Sequence, residues 1–158
     1  MENLKFIVDI NVGKLAKWLR MMGYDTLLFD GDDDWRMIII ALEEGRVIIT
    51  KDTQIAKRGV ITSGRLKAIL ITSDKSEQQI QQVVETLNLD YQYRPFTLCL
   101  ECNQLLVERS KQEVEDRVPP YVFQTQNEYV ECPACHRIFW KGTHWKAMTE
   151  KLQRLRDS

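Results

Sequence analysis

Residues Val47-Ile-Ile-Thr-Lys-Asp-Thr53 decide how the chain is to be read. Three β-branched apolar residues in succession, with no alternation to a polar face, suit a strand covered on both sides, as strands are in a parallel sheet under helices. Lys51 and Asp52 then end the run abruptly. Either they form the polar turn that any strand needs, or Asp52 is a carboxylate held at the carboxyl edge of the sheet, where ligands bind in open α/β folds.

Phe6-Val8, Leu27-Phe29 and Ala68-Ile71 repeat the same continuous apolar character and are expected as further buried strands. Helical spacing separates them. Val12, Leu15, Ala16, Leu19 and Met22 recur on one face before Gly23, a natural stop. A second helix is expected from an Asp34 cap through Met37, Ile38, Ala41 and Leu42 to Gly45, and a third from a Ser76/Gln79 capping box through Ile80, Val83, Val84 and Leu87. The βαβαβ rhythm predicts an α/β domain with a parallel sheet flanked by helices. It does not fix the strand order.

From about residue 95 the apolar runs disappear, Pro119-Pro120 interrupts a polar stretch, and all four cysteines arrive between Cys99 and Cys135. The expected division is 1–94 for the parallel-sheet domain, 95–148 for a small metal module and 149–158 for a basic tail. The 158 residues include 44% apolar types, enough for a core, and carry 22 Lys+Arg against 23 Asp+Glu, so no bulk basic charge advertises nucleic acid. The first ten residues lack the pattern of a secretory signal, and no apolar run approaches a membrane span. A soluble, cytoplasmic protein with no membrane partner is expected.

In a reducing compartment, clustered cysteines point to metal before disulfides. Cys99-Leu-Glu-Cys102 and Cys132-Pro-Ala-Cys135 are separated by 29 residues. Each CxxC loop can present two thiolates to one ion, so the four are expected to close a tetrahedral structural Zn²⁺ site with a hairpin or small sheet between the loops. A site saturated with sulfur leaves no position for water, so chemistry must lie elsewhere. The ribbon can still offer a surface: Arg137, Trp140, Lys141 and Trp145 combine cations with rings suited to phosphates and bases, although the tryptophans could equally form a miniature core. From His136 onward there are six Lys/Arg against two Asp/Glu, which tilts this segment toward an anionic partner.

Three acids occupy meaningful places. Asp9 ends the first strand, Asp52 ends the third, and Asp34 opens the helix between them, which a right-handed crossover can begin at the same sheet edge. Converging carboxylates repel unless a divalent cation neutralises them, and Mg²⁺ or Mn²⁺ suits such oxygen donors and can assist phosphodiester hydrolysis. Taken singly, Asp34 could be only a cap, and Asp9 and Asp52 only turn residues. Lys14, Lys17 and Arg20 recur along the first helix and, with Lys51, are expected to contact a nucleic-acid backbone; a solvated helix face would explain the same spacing.

The stretch Phe6-Ile-Val-Asp-Ile-Asn-Val-Gly-Lys-Leu-Ala-Lys-Trp-Leu-Arg-Met-Met-Gly-Tyr-Asp25, then Glu44-Gly-Arg-Val-Ile-Ile-Thr-Lys-Asp52, and Cys132-Pro-Ala-Cys-His-Arg-Ile-Phe-Trp-Lys-Gly-Thr-His-Trp145 resemble the Mut-seven C-terminal RNase domain family. The resemblance implies a PIN-like nuclease fold with a zinc ribbon, and RNA cleavage through acids and Mg²⁺ or Mn²⁺. The family's acidic positions fall on Asp9, Asp34 and Asp52, and its ribbon ligands on Cys99, Cys102, Cys132 and Cys135. The chain departs from the pattern at Ile10, Asn11 and Val12 and at Lys51, where arginine is commoner, and Asp74 is its one candidate for a fourth acid. A metal-dependent ribonuclease is expected, against two alternatives. The first is a non-catalytic RNA-binding or scaffold protein. The second is a phosphoacceptor receiver domain, which would want paired acids after the first strand and leaves the cysteines unexplained.

Overall fold

A computed structural model of the chain describes residues 3–158; the first two positions of the expected 1–94 domain lie outside the described residues. Strands β1 (Lys5–Asp9), β2 (Thr26–Phe29), β3 (Arg46–Thr50) and β4 (Ala68–Leu70) form one sheet in the order β2-β1-β3-β4, every pair parallel. A 3₁₀ turn (Ile10–Val12) leads into α1 (Lys14–Met22); α2 (Asp34–Glu44) and the short α3 (Thr53–Ala56) and α4 (Gly59–Thr62) complete the crossovers, and α5 (Ser76–Leu87) follows β4. Successive side chains of a strand point to opposite faces, so each apolar run feeds two cores. Phe6, Val8, Val47 and Ile49 pack with Leu15 and Leu19 of α1 and Ile80 and Val83 of α5. Ile7 and Ile48 face the other way, onto Met37, Ile38 and Ala41 of α2 and onto Ile55 and Leu66. Hence the runs read as continuous.

Gly23 ends α1 with φ 99°, its amide bonded back to Arg20, and an added Cβ would run into the Arg94 carbonyl. Two expected caps are corrected. Asp33, not Asp34, caps α2: its extended backbone (φ −99°, ψ 98°) lets Oδ1 accept from the Trp35 amide at 3.1 Å, while Asp34 is already helical. Ser76 is likewise inside α5, where Lys75 takes the cap position without a side-chain bond and Gln79 turns inward to donate to the Ser73 carbonyl at 2.8 Å. Leu42, which continues the apolar spacing of α2, is exposed.

The cysteine module is an antiparallel sheet of β5 (Val107–Arg109), β6 (Tyr129–Glu131) and β7 (Ile138–Phe139), in that order. Between β5 and β6 the chain forms α6 (Lys111–Val114), opened by a Ser110/Glu113 capping box, and α7 (Pro120–Thr125), where Pro120 fills the first helical position, in which no amide partner is needed. Val114, Val118, Val122 and Tyr129 make a satellite core. Helix α8 (Thr143–Asp157) crosses residues 148 and 149 without a break and returns to the first domain, where Met148 and Leu152 join the core beneath α1 and α5.

Polar contacts fasten the module to the amino edge of the parallel sheet. Asn103 Oδ1 accepts from the Thr26 amide of edge strand β2 at 2.8 Å, while its Nδ2 donates to Asp25 at 2.7 Å. Asp25 also receives Arg46 at 2.8 Å, and both partners pull its carboxyl below the usual range against the opposing effect of burial. Arg20, 7% exposed, donates to the carbonyls of Thr26 at 3.0 Å and Leu100 at 2.8 Å. These contacts satisfy edge groups that would otherwise be stranded where the two units meet.

Inside the module Glu131 is buried yet accepts from Arg109 at 2.9 Å, from Arg117 at 2.9 and 3.1 Å, and pairs with His136 Nδ1 at 3.2 Å. Arg117 and Arg109 hold its carboxyl at about 2. At pH 7, Glu131→Gln is expected to lower stability by about 1–3 kcal/mol in urea denaturation. A depressed carboxyl stabilises the fold only while ionised, so the gap from the parent protein should be complete above pH 4.5 and close as the pH falls toward about 2. A gap that stays constant across that window would contradict the assignment.

Candidate functional site

Parallel register brings the acid-bearing strand ends to one edge. With Val8 opposite Ile49, the next pair outward is Asp9 and Thr50. Thr50, fully buried, donates its hydroxyl to Asp9 Oδ2 at 2.8 Å and accepts from the Asp52 amide at 3.0 Å. A single hydroxyl thus ties the first acid to the backbone of the third. Asp52 Oδ1 accepts from the Gln54 amide at 2.8 Å and caps α3, so the residue serves the turn as well as facing the edge. Asp34, half-buried on the first turn of α2, has its carboxyl raised above the ordinary range, first by burial, then by the negative charges of Asp52 and Asp9, with Arg58 opposing. The three acids therefore share one field.

Their spacing is looser than that of the sulfur site. Among the described residues, the four cysteines are the group whose ligand atoms all lie within 4.8 Å of one another, and the three acids do not form such a group. Carboxylate oxygens remain the hard donors that Mg²⁺ or Mn²⁺ accept, with water filling further positions. Lys51, expected on a phosphate backbone, has its ammonium beside Asp74, while its amide donates to Asn11 Oδ1 at 3.3 Å. Asp74, the candidate fourth acid, is well exposed and already has a cation beside it.

The expected stripe on α1 divides. Lys14 is exposed at the first turn, Lys17 pairs with Glu101 at 3.0 Å, and Arg20 lies buried with donors committed to two carbonyls. Arg20 is therefore a fastener between the two units rather than a surface cation. Its i, i+3 spacing from Lys17 gave no sign of this, because the carbonyl of Leu100 reaches it only in the tertiary fold.

The two CxxC loops are near copies. In each, the first cysteine's amide donates to a carbonyl five residues on (Cys99 to Gln104 at 2.9 Å, Cys132 to Arg137 at 3.0 Å). The residue after the second cysteine, Asn103 or His136, takes φ 64° and donates back to the first, at 2.9 and 2.8 Å. Cys99 and Cys132 are buried and Cys102 and Cys135 half-buried. Four thiols so close cannot all ionise alone. Cys135 is drawn down to about 6, chiefly by the backbone of Arg137, whereas Cys102 is pushed up to about 12, chiefly by its hydrogen bond with Cys135. A divalent ion removes that conflict, and four converging sulfurs fit zinc. His136 is turned toward Glu131, which leaves the site to sulfur.

The ribbon's aromatic and basic residues surround a cleft of about 620 Å³ between α1, α7 and the start of α8. Arg137, Trp140 and Trp145 line it. Lys141 braces the wall, its ammonium 5.2 Å from the ring centres of both Phe96 and Trp145 and 3.4 Å from Glu128. Sequence reasoning did not find Tyr121, Phe96 or Lys17 as neighbours of these residues, since they come from three other segments. Among the described residues, no helix is long and apolar enough to cross a membrane.

Comparison with curated proteins and with solved structures returned no match. The model of the Mut7-C RNAse domain matches residues 4–152 of the 158, spanning the parallel sheet, the acid edge and the cysteine module together, and the chain belongs to that family.

Proposed function

We propose that the chain is a metal-dependent ribonuclease that hydrolyses phosphodiester bonds of RNA at the edge carrying Asp9, Asp34 and Asp52. The observation that carries this reading is their shared edge: Asp34 is raised first by burial and then by the charges of Asp52 and Asp9, which come from elements far apart in sequence. Mg²⁺ or Mn²⁺ bound by these carboxylates would supply neutralising charge and polarise the scissile phosphate. Thr50 holds one oxygen of Asp9 and the backbone at Asp52, so two of the acids keep their relative position without flexible side chains bridging them. Lys14, exposed at the adjoining helix start, favours approach of a phosphate backbone. The cysteine site is structural, and the ribbon assists in holding RNA.

Labelled single-stranded RNA should be cut in the presence of Mn²⁺ or Mg²⁺, and Asp9→Asn/Asp52→Asn should abolish the cutting while leaving the far-ultraviolet circular dichroism unchanged. Cleavage that survives both the double substitution and omission of the metal would refute the site; binding with no cleavage at all would favour a scaffold that only binds RNA.

Thr50→Val preserves shape but removes the shared hydroxyl, and is expected to lower kcat/KM by about 10–100-fold, the usual cost of losing a group that orients a ligand. An unchanged rate would show that the hydroxyl serves packing alone.

Metal analysis of protein purified without chelator should find about one zinc per chain, and Cys132→Ser should lose both the metal and the cooperative unfolding of the ribbon. A fully folded, zinc-free parent protein would overturn the structural role.

A further inference from the structure

We infer that the cleft between α1, α7 and the ribbon is a binding site for an unpaired segment of single-stranded RNA, with at least one base stacked on the aromatic wall. The inference rests on the reading of the chain as a ribonuclease and names where the strand is gripped away from the acids. Three observations converge. The cleft holds about 620 Å³, within the range of sites for nucleotide-sized ligands. Its walls carry Phe96, Tyr121, Trp140 and Trp145, and every nucleobase has a face that can stack on such rings. Its charged lining is cationic, with Lys17, Arg20, Arg137 and Lys146 against Glu101 alone.

Two of those cations are already used, since Lys17 pairs with Glu101 and Arg20 bonds two carbonyls. Arg137 is exposed where it lines the cleft. Lys146 is exposed on the first turns of α8 and is positioned to meet a phosphate. Next to it, Gly142 and Thr143 line the cleft at the start of α8, whose cap position carries no side-chain hydrogen bond, so the helix's amino end adds to the positive field.

A concave, ring-lined cleft selects unpaired strands, because bases in a duplex are stacked on one another and hide their faces. The geometry also permits continuity with the acid edge. Lys17, a lining residue, lies three residues along α1 from Lys14, about 4.5 Å of helix rise. A strand leaving the cleft past Lys14 would approach Asp9, so the cleft and the acids can engage the same molecule at different nucleotides.

Tyr121 and Lys146 are the residues to alter, because both are exposed and neither belongs to a core. Binding is measured by fluorescence anisotropy on the full chain carrying Asp9→Asn/Asp52→Asn, with no added Mg²⁺ or Mn²⁺, using a labelled oligouridylate of about ten nucleotides. Tyr121→Ala should weaken binding by about tenfold. Lys146→Ala should weaken it and reduce the salt slope by about one, whereas Lys67→Ala, an equal loss of charge at an exposed position before β4, should change neither. A duplex of the same length should bind more weakly. The inference is overturned if the folded Tyr121 and Lys146 variants bind like their parent, if the duplex binds equally well, or if polyglutamate displaces the RNA from an acidic-peptide site. Since the assay needs no turnover, loss of cleavage in the parent would sink the nuclease reading and leave this one standing. A nuclease whose RNA affinity ignores Tyr121 and Lys146 would do the reverse.

Discussion

The pairing of β1 with β3 is the constraint on which the site depends. Parallel neighbours cannot be joined by a tight turn, so α1, β2 and α2 intervene, and the two strands must find their register through side chains alone. Phe6 opposite Val47 and Ile7 opposite Ile48 fix it, because a slip of one residue would turn each apolar side chain to the wrong core. The same register sets Asp9 beside Thr50 and allows their 2.8 Å hydrogen bond. Burial of a carboxylate at a strand end would be unfavourable in isolation. The Thr50 hydroxyl offsets part of that cost, and Asp34 feels the charges of Asp52 and Asp9 at the same edge.

A second constraint is that the cysteine module does not hang free. Its first loop satisfies the edge strand β2 through Asn103, its Leu100 carbonyl receives Arg20, and α8 adds Met148 and Leu152 to the core of the parallel-sheet domain. The left-handed backbone of Asn103 belongs to the turn that shapes the first CxxC loop, while its side chain binds Asp25. Ligand geometry and docking therefore reside in the same residue. A module held this way can present a fixed surface next to α1, which is what a shared cleft between the two units requires.

Local rules were legible wherever one segment carries its own explanation. The apolar runs named all four strands of the parallel sheet, Gly23 and Gly45 marked helix ends, and the two CxxC pairs identified the sulfur cluster. Errors arose where neighbouring residues compete for one role. Asp33 and Asp34 are both good caps, and only the dihedral angles decide between them; Ser76 and Gln79 match a capping box, yet Gln79 reaches Ser73 because the preceding turn brings that carbonyl within range. Helices α6 and α7 are short and carry a weak periodic signal, so Pro119-Pro120 read as an interruption rather than as the start of a helix.

Residue order alone supplied the material: continuous strands for a parallel sheet, acids at their ends, four thiols in two loops, and rings beside cations in the ribbon. How that material is used depends on the folded arrangement. Arg20 was taken from a surface stripe and committed to backbone carbonyls, Lys51 was set beside Asp74, Thr50 became the link between two acids, and Tyr121 came to line one cleft with Trp140 and Trp145. The physical reason is common to all four. A charged or polar side chain reaches only a few ångströms, and which partner lies within that reach is set by strand register and by the docking of elements far apart in sequence, neither of which spacing along the chain records.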